Sequence, residues 1–139
     1  MAEEYFSSQA DLGGGFRTQV EMGISLSVTD IDRSLSFYRD ALGFELMRDE
    51  EDPAENSRLA SLRYGNVVLD LVQKLPPIEP RRDFRLYWAS EKLEEALGVV
   101  VDGGGRVQRV MEYGVHCVDP DGHPLIVLPL QPEVDDLSI

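Results

Sequence analysis

Apolar and polar residues alternate over residues 19–28, and this is the first clear pattern in the chain. Leu26 and Val28 fall on one side of the alternation, while glycine and serine fall on the other. A period of two is typical of a strand with one buried face. The pattern therefore predicts a strand whose second face carries the hydroxyl groups of Ser25 and Ser27.

A helical spacing follows this strand. Apolar side chains recur every three or four residues, at Ile31, Leu35, Tyr38 and Leu42. Asp30 stands at the start, where its carboxylate can accept a hydrogen bond from a free backbone N–H group. Gly43 stands at the end, where helices commonly place a residue with a left-handed conformation. The sequence predicts one helix between these two residues.

The remainder of the first half predicts a short strand and a hairpin. Residues 44–48 are interpreted as the short strand, and the acidic segment 49–57 is interpreted as a loop. Residues 61–64 and 67–72 are interpreted as two strands that flank a Gly-Asn dipeptide. This dipeptide is typical of a two-residue hairpin turn.

The second half repeats the same order after a proline-rich linker at residues 75–83. Its predicted elements are a strand at 84–89, a helix capped by Ser90 or a neighbour and stopped by three glycines at 103–105, and strands at 106–110, 113–118 and 124–129. Each half has the order β-α-β-β-β, so the sequence predicts two similar modules that complete one sheet system together.

The predicted domain spans residues 20–130, with module one at 20–74 and module two at 84–130. Residues 1–19 show little periodicity and are interpreted as a flexible N-terminal arm. Residues 131–139 are interpreted as an acidic C-terminal tail.

The net charge of the chain limits the classes of binding partner that are expected. The chain has 26 acidic and 13 basic residues, and its net charge is −13. This excess repels phosphate backbones and anionic membrane surfaces, so neither nucleic acid nor a membrane is an expected partner. Two interpretations stay open: the charge attracts a cationic small molecule, or it only keeps the protein in solution.

No apolar run approaches the roughly 18 residues of a membrane span. The acidic, polar residues 1–15 lack the features of a secretory signal, so the protein is expected in the cytoplasm. Cys117 is the single cysteine. It excludes an internal disulfide framework, and it is interpreted as a small buried apolar residue.

Two motifs carry a resemblance to a known family. The segment VTDIDRSLSFYRDALGFEL (28–46) and the segment YGVHCVDPDGHPLIVL (113–128) closely resemble the vicinal oxygen chelate superfamily, also called the glyoxalase/bleomycin-resistance/dioxygenase proteins. The similarity covers roughly residues 20–130. It implies an α+β fold in which two βαβββ modules form a cup-shaped mixed sheet, with one helix outside each sheet. It does not by itself identify an activity.

The resemblance also implies where a metal would bind in relatives that hold one. Its four ligand positions correspond here to Gly23, Asp70, one residue within 83–85, and Ile126. Gly23 and Ile126 have no donor atom in their side chains, and a useful site needs three or more protein ligands. The prediction is that the protein binds no metal and uses no cofactor.

Asp70 is the most informative candidate residue. It alternates with apolar neighbours in VVLDLV, and is expected to face the cavity between Val68 and Val72. Three roles stay open: a general base, an anchor for the amine of a ligand, or the partner of a structural arginine such as Arg63 or Arg85.

The other candidates are side chains expected in the cup. Three roles stay open for Trp88: stacking on a planar ligand, facing a dimer partner, or plain packing. His116 is interpreted either as a proton-transfer group or as a hydrogen-bonded surface or cavity residue. His123 lies in the Asp-Pro-Asp-Gly turn and is expected to be exposed to solvent. The predicted ligand-binding set is Ser25, Ser27, Asp70, Trp88, His116 and Ile126, with Asp70 and His116 as the catalytic candidates.

The leading hypothesis for function is a metal-free protein that binds or sequesters a cationic or aromatic small molecule, in the manner of bleomycin-resistance proteins. The alternatives are an enzyme of the same superfamily, acting as a lyase, isomerase or dioxygenase with an unusual or absent metal site, and a structural module with a filled cup. A homodimer is expected, because exposed strand edges need to be covered.

Overall fold

The computed structural model describes residues 10–11 and 16–130. The chain divides into two compact units, and the boundary falls between Glu79 and Pro80, inside the segment that the sequence predicts as a linker. No helix of the described residues is long and apolar enough to span a membrane.

The first unit contains one four-stranded mixed sheet within residues 16–79. Its elements are β3 (Met22–Val28), α1 (Ile31–Leu35), a π-helical continuation (Ser36–Ala41), β4 (Glu45–Asp52), β5 (Ser57–Tyr64) and β6 (Val67–Gln73). The strand order is β3-β6-β5-β4. β3 runs parallel to β6, and the two hairpin pairs are antiparallel.

The helix of the first unit begins as the sequence predicts. The Asp30 side chain accepts a hydrogen bond from the backbone N–H of Arg33 at 3.2 Å. The second part is a π-helix in which the N–H of Leu42 donates to the carbonyl of Phe37. A wider turn of this kind admits one extra residue, and Gly43 then ends the helix with φ of 93°.

The acidic segment 49–57 is mostly strand, so its interpretation as a loop was wrong. β4 continues to Asp52 and pairs with β5 along that length, leaving only a turn at 53–56. Asp49 accepts two hydrogen bonds from Arg58 of β5, at 2.8 and 3.1 Å. Opposite charges across the two strands stabilise a pairing that acidic residues alone would disfavour.

The second unit repeats the topology. Its elements are β7 (Leu86–Ser90), α2 (Leu93–Asp102), β8 (Arg106–Val110), β9 (Val115–Val118) and β10 (Pro124–Pro129). Within residues 80–130 they form a four-stranded sheet of order β7-β10-β9-β8, in which β7 is parallel to β10. The predicted α+β class and the two βαβββ modules are confirmed.

Buried apolar side chains form the core of each unit. In the first unit they come from α1, its continuation and the sheet, and include Leu26, Ile31, Phe37, Leu62, Leu69 and Leu71. In the second unit Ala96 and Val100 of α2 and the alternating Leu125 and Val127 of β10 are buried. Cys117 is 1% exposed and burial raises the pKa of its thiol, which confirms its interpretation as a buried apolar residue.

Part of the predicted N-terminal arm is regular structure. β1 (Ala10–Asp11) and β2 (Arg17–Thr18) form a short antiparallel ribbon. The rest of the arm that precedes residue 16, and the acidic tail at 131–139, lie outside the described residues.

Candidate functional site

A cavity of about 410 Å³ opens on one face of the sheet of the second unit. It is lined by Pro80, Arg81, Arg82, Phe84, Arg85, Arg106, Gln108, His116, Val118, Gly122, Pro124 and Ile126. The register explains the grouping, since Ile126 of β10 lies opposite His116 of β9 and Pro124 lies opposite Val118. Leu125 and Val127 alternate with these residues and point to the other face, and α2 contributes no residue to the cavity wall.

The wall of this cavity is basic. Among the residues that the structure describes, four arginines line it, and no aspartate or glutamate does. Arg81 is paired with Asp83, whose carboxylate oxygen lies 2.7 Å from the Arg81 Nε atom. Hydrogen bonding from Arg81 lowers the pKa of the Asp83 carboxyl, so this pair is fully charged at neutral pH and one of the four positive charges is compensated.

The other three arginines have no carboxylate partner among the described residues. A side-chain hydrogen bond with Tyr87 raises the pKa of Arg85. Arg82 and Arg106 have exposed side chains and form no ion pair within residues 16–130. The cavity therefore presents uncompensated guanidinium groups to whatever enters it.

His116 has an unsatisfied polar atom in the same cavity. Its Nε2 atom is buried and has no hydrogen-bond partner among the described residues. Buried polar atoms are nearly always satisfied in folded proteins.

The first unit has a polar stripe across one face of its sheet. Asp70 lies opposite Ser25 of β3 and Ser61 of β5. The Ser61 hydroxyl donates a hydrogen bond to the Asp70 carboxylate at 2.5 Å. Ser27 lies on the same face two residues along β3. The predicted grouping of Ser25, Ser27 and Asp70 is present in the structure.

Arg63 is not the partner of Asp70. Its Nε atom donates to the carbonyl of Gly65 at 2.9 Å and lies 3.7 Å from the carboxylate of Glu21. Within the first unit, the structural-arginine role proposed for Asp70 therefore has no support. Asp70 is instead hydrogen-bonded to a neutral hydroxyl.

Trp88 lies on the wrong face to join His116 and Ile126. It is opposite Val127 in the β7–β10 pair, whereas Tyr87 is opposite Ile126. Because side chains alternate along a strand, Trp88 points away from the cavity and Tyr87 is the aromatic residue of β7 on its side. The sequence identified the strand correctly but could not fix the face.

His123 is buried, so its predicted exposure was wrong. It is 1% exposed, and its Nδ1 atom accepts a hydrogen bond from the backbone N–H of Arg81 at 2.9 Å. The turn itself is as predicted, with Gly122 at φ of 93°. The tight turn directs the following side chain inwards, where it meets the segment that precedes β7.

The positions that the resemblance assigns to metal ligands do not fit a metal here. Gly23 has no side chain, Ile126 is apolar, and Asp83 is engaged with Arg81. Within residues 10–11 and 16–130, no three His, Cys, Asp or Glu side chains come close enough to ligate one ion. A divalent ion bound in the manner of the family would lack the ligands that it requires.

The sequence interpretation missed most of the cavity wall. Arg82, Arg106 and Gln108 were not among the candidates, and Arg81 was assigned only to a linker. The signal that could have identified the first arginines of the wall is their clustering at Arg81, Arg82 and Arg85. Such a cluster is unexpected in a chain whose basic residues are outnumbered two to one by acidic residues.

The chain is similar to one family of known proteins. The model of the Glyoxalase/Bleomycin resistance protein/Dioxygenase superfamily matches residues 22–127. A curated relative from Synechocystis sp., named probable lactoylglutathione lyase, is 29% identical, and the match covers 72% of this chain and 87% of that protein.

Solved structures share the fold. The trypanothione-dependent glyoxalase I of Leishmania major superposes with a TM-score of 0.66 at 22% identity, over 81% of this chain and 87% of that one. The fosfomycin resistance protein FosX of Listeria monocytogenes gives a TM-score of 0.66 at 14% identity, over 81% and 91% of the two chains. With the family model matched over most of its length, the chain belongs to the glyoxalase/bleomycin resistance protein/dioxygenase superfamily.

Proposed function

We propose that this protein is a metal-free small-molecule-binding member of its superfamily and that the second unit holds the ligand. The observation that carries the proposal is the cavity of about 410 Å³ around His116 and Ile126. Small-molecule sites commonly have volumes of about 300 to 1,000 Å³ and combine apolar walls with a few polar groups. This cavity has both properties.

The metal-free part of the proposal rests on the chemistry of the residues at the family's ligand positions. Glycine and isoleucine occupy two of the four positions. A binding role needs only a shaped cavity with polar anchors, whereas the metal-dependent activities of relatives need ligands that these residues do not supply.

Native mass spectrometry of the purified full-length chain tests this function. We expect each chain to carry a small organic molecule, or to take one up from a mixture, without a stoichiometric metal ion. Elemental analysis that finds one zinc, nickel, iron or manganese ion per chain would overturn the metal-free assignment.

A second candidate function is that of an enzyme, favoured by the similarity to the relative named probable lactoylglutathione lyase. The unsatisfied Nε2 atom of His116 supplies a group that can exchange a proton with a substrate. Assay of lactoylglutathione formation, with and without added divalent metal, separates the two functions. Turnover that is lost in His116→Ala but retained in a matched surface variant would favour the enzyme.

We also propose that the protein is a homodimer. β3 and β8 are outer strands of their sheets, and each has one backbone edge that pairs with no strand among the described residues. Such edges are usually covered in native proteins. Every residue of β8 is exposed, Val107 and Val110 included. Sedimentation of the full-length chain at micromolar concentration should give the mass of a dimer, and a monomer would contradict this assembly.

A further inference from the structure

The charges around the cavity of the second unit identify the class of its ligand. We propose that the cavity binds an organic anion: a carboxylate, phosphate or phosphonate group attached to an apolar body. This inference rests on the proposed binding function and specifies the sign of its ligand. The expected ligand is therefore anionic, whereas the net charge of −13 favours a cationic one.

The composition of the wall departs strongly from that of the chain. The chain has 13 basic and 26 acidic residues, yet within the described part of the chain four arginines and no acidic residue line this cavity. One of the four, Arg81, is neutralised by Asp83. The remaining three positive charges form a local field opposite in sign to that of the whole molecule.

The distance between a charge and the ligand determines whether the ligand responds mainly to the cavity arginines or to the negative charge of the whole molecule. At physiological ionic strength, charges further away than about 8 Å are largely screened. A ligand inside the cavity therefore responds to the arginines that touch it more than to the distributed negative charge. The guanidinium group is also a planar donor that matches the geometry of carboxylate and phosphate oxygens.

Apolar side chains form the other part of the wall. Ile126 and Val118 line it from the neighbouring strands β10 and β9 and are almost fully buried, while the half-buried Pro80, Phe84 and Pro124 supply its accessible apolar surface. An inorganic anion alone would leave this surface facing water. An anion that carries an aryl or alkyl group would cover it and gain the free energy of apolar burial.

His116 adds a directional contact between these two parts. His116 lines the cavity, and its Nε2 atom is enclosed by the protein without a partner among the described residues. A polar oxygen of the ligand would complete this hydrogen bonding once a small rotation of the ring turns the atom towards the cavity. The recognised molecule thus combines an acidic head, an apolar body and a polar atom within reach of the imidazole.

Small aryl compounds that differ mainly in charge test this inference. The probes are phenylphosphonate, benzoate, benzylamine and benzyl alcohol, titrated into the full-length chain and followed by NMR at millimolar concentrations. The variants are Arg82→Gln with Arg106→Gln, which removes two cavity charges, and Arg39→Gln, which removes one exposed charge outside the cavity. Arg106→Lys keeps the positive charge and serves as the rescue variant.

We expect phenylphosphonate or benzoate to bind at least about tenfold more tightly than benzylamine, and the double glutamine variant to lose about tenfold or more in anion affinity. Arg39→Gln should match the wild type, and Arg106→Lys should retain most of the binding. The preference between phenylphosphonate and benzoate shows whether the head group is tetrahedral or planar.

Two results overturn the inference in different ways. Tighter binding of benzylamine or benzyl alcohol, or an unchanged anion affinity in the folded double variant, contradicts the anionic class and leaves the proposed binding function standing. Failure of all four probes to bind the wild type contradicts the anionic class and the binding function together.

Discussion

The Nδ1 atom of His123 accepts a hydrogen bond from the backbone N–H of Arg81, at a distance of 2.9 Å. This bond joins the turn before β10 to the segment that leads into β7, across 42 residues of sequence. The same turn is fixed by Asp119, whose carboxylate accepts hydrogen bonds from the backbone N–H groups of Asp121 and His123.

A second contact joins the same two segments. A side chain at Gly122 would place its Cβ atom 3.0 Å from the Cγ atom of Pro80, so only glycine fits here without displacement. The turn therefore packs directly against the start of the segment that carries Arg81, Arg82 and Arg85 into the cavity wall. His123 and Gly122 act as positioning residues for these arginines.

Replacement of His123 separates the role of its acceptor atom from the role of its size. His123→Leu leaves the Arg81 N–H without a partner, which should cost about 1 to 3 kcal/mol in the free energy of unfolding. His123→Asn places an oxygen where Nδ1 was and should recover part of this loss. Urea denaturation measures both values, and amide hydrogen exchange of Arg81 should accelerate in the leucine variant only.

The affinity for phenylphosphonate is a second measurement, which a change in stability alone does not alter. In folded His123→Leu, phenylphosphonate should bind more weakly than in the wild type because the arginine-bearing segment is no longer held. Equal exchange rates of the Arg81 amide in wild type and both variants would show that this bond does not hold the segment.

Substitution of Asp70 tests whether its carboxylate neutralises a buried arginine or only accepts a hydrogen bond from Ser61. Asp70→Asn keeps an oxygen that can accept from Ser61, so the free energy of unfolding should fall by less than about 1.5 kcal/mol. A loss of about 3 to 5 kcal/mol would be the result if the carboxylate neutralised a buried arginine. Equilibrium urea denaturation of the variant and the wild type decides between these values.

The elements of the fold that could be predicted are those with strong local signals. The strands at 106–110 and 124–129 have the predicted bounds, because glycines and an Asp-Pro-Asp-Gly turn delimit them. The extension of β4 to Asp52 could not be predicted, since it depends on Arg58 of the neighbouring strand. The π-helical turn at 36–41 could not be predicted either, because its apolar spacing is close to that of an α-helix.

The candidate site was only partly predictable for a similar reason. Alternation along single strands placed Ser25, Asp70, His116 and Ile126 in one candidate set, and the register puts Ser25 opposite Asp70 and His116 opposite Ile126. The face of Trp88 depends on the register between β7 and β10, which no local pattern determines. The arginines at 81 and 82 lie in an irregular segment whose path is set by contacts with a distant turn.

The ion pair between Asp49 and Arg58 gives the stability a defined pH dependence. Hydrogen bonding from Arg58 lowers the pKa of the Asp49 carboxyl below its usual value of 3.8. Because this carboxyl has a lower pKa in the folded state than in the unfolded chain, the pair stabilises the folded state at pH values above the unfolded-state pKa. This stabilisation is lost as the pH falls through the lower folded-state pKa. Asp49→Asn should therefore cost up to about 1 kcal/mol at pH 7, since the pair is partly exposed.

The effect should disappear in acid. Denaturation of wild type and Asp49→Asn at a series of pH values should converge as the pH falls below the lowered pKa. Glu55→Gln, which removes an exposed carboxylate from the turn at 53–56, is the charge control. A difference that grows towards low pH would contradict the assigned pair.

Metal addition tests the residues at the family's ligand positions. Because only tight binding to the native state raises a melting temperature, micromolar nickel, zinc or manganese should leave the thermal unfolding of this chain nearly unchanged. Ile126→Glu introduces a carboxylate at one of these positions and serves as a comparison. A marked stabilisation of the wild type by any of the three ions would contradict the metal-free assignment.

The most direct test of the account is the location of a bound organic anion in metal-free protein. Intermolecular nuclear Overhauser effects are measured between the ring protons of phenylphosphonate and the methyl groups of the chain, in the presence of EDTA. We predict contacts with Ile126 and Val118 of the second unit, which should be lost in the Arg82→Gln, Arg106→Gln double variant. Contacts confined to Val68 and Val72 beside Asp70, or binding that appears only after a divalent metal is added, would contradict it.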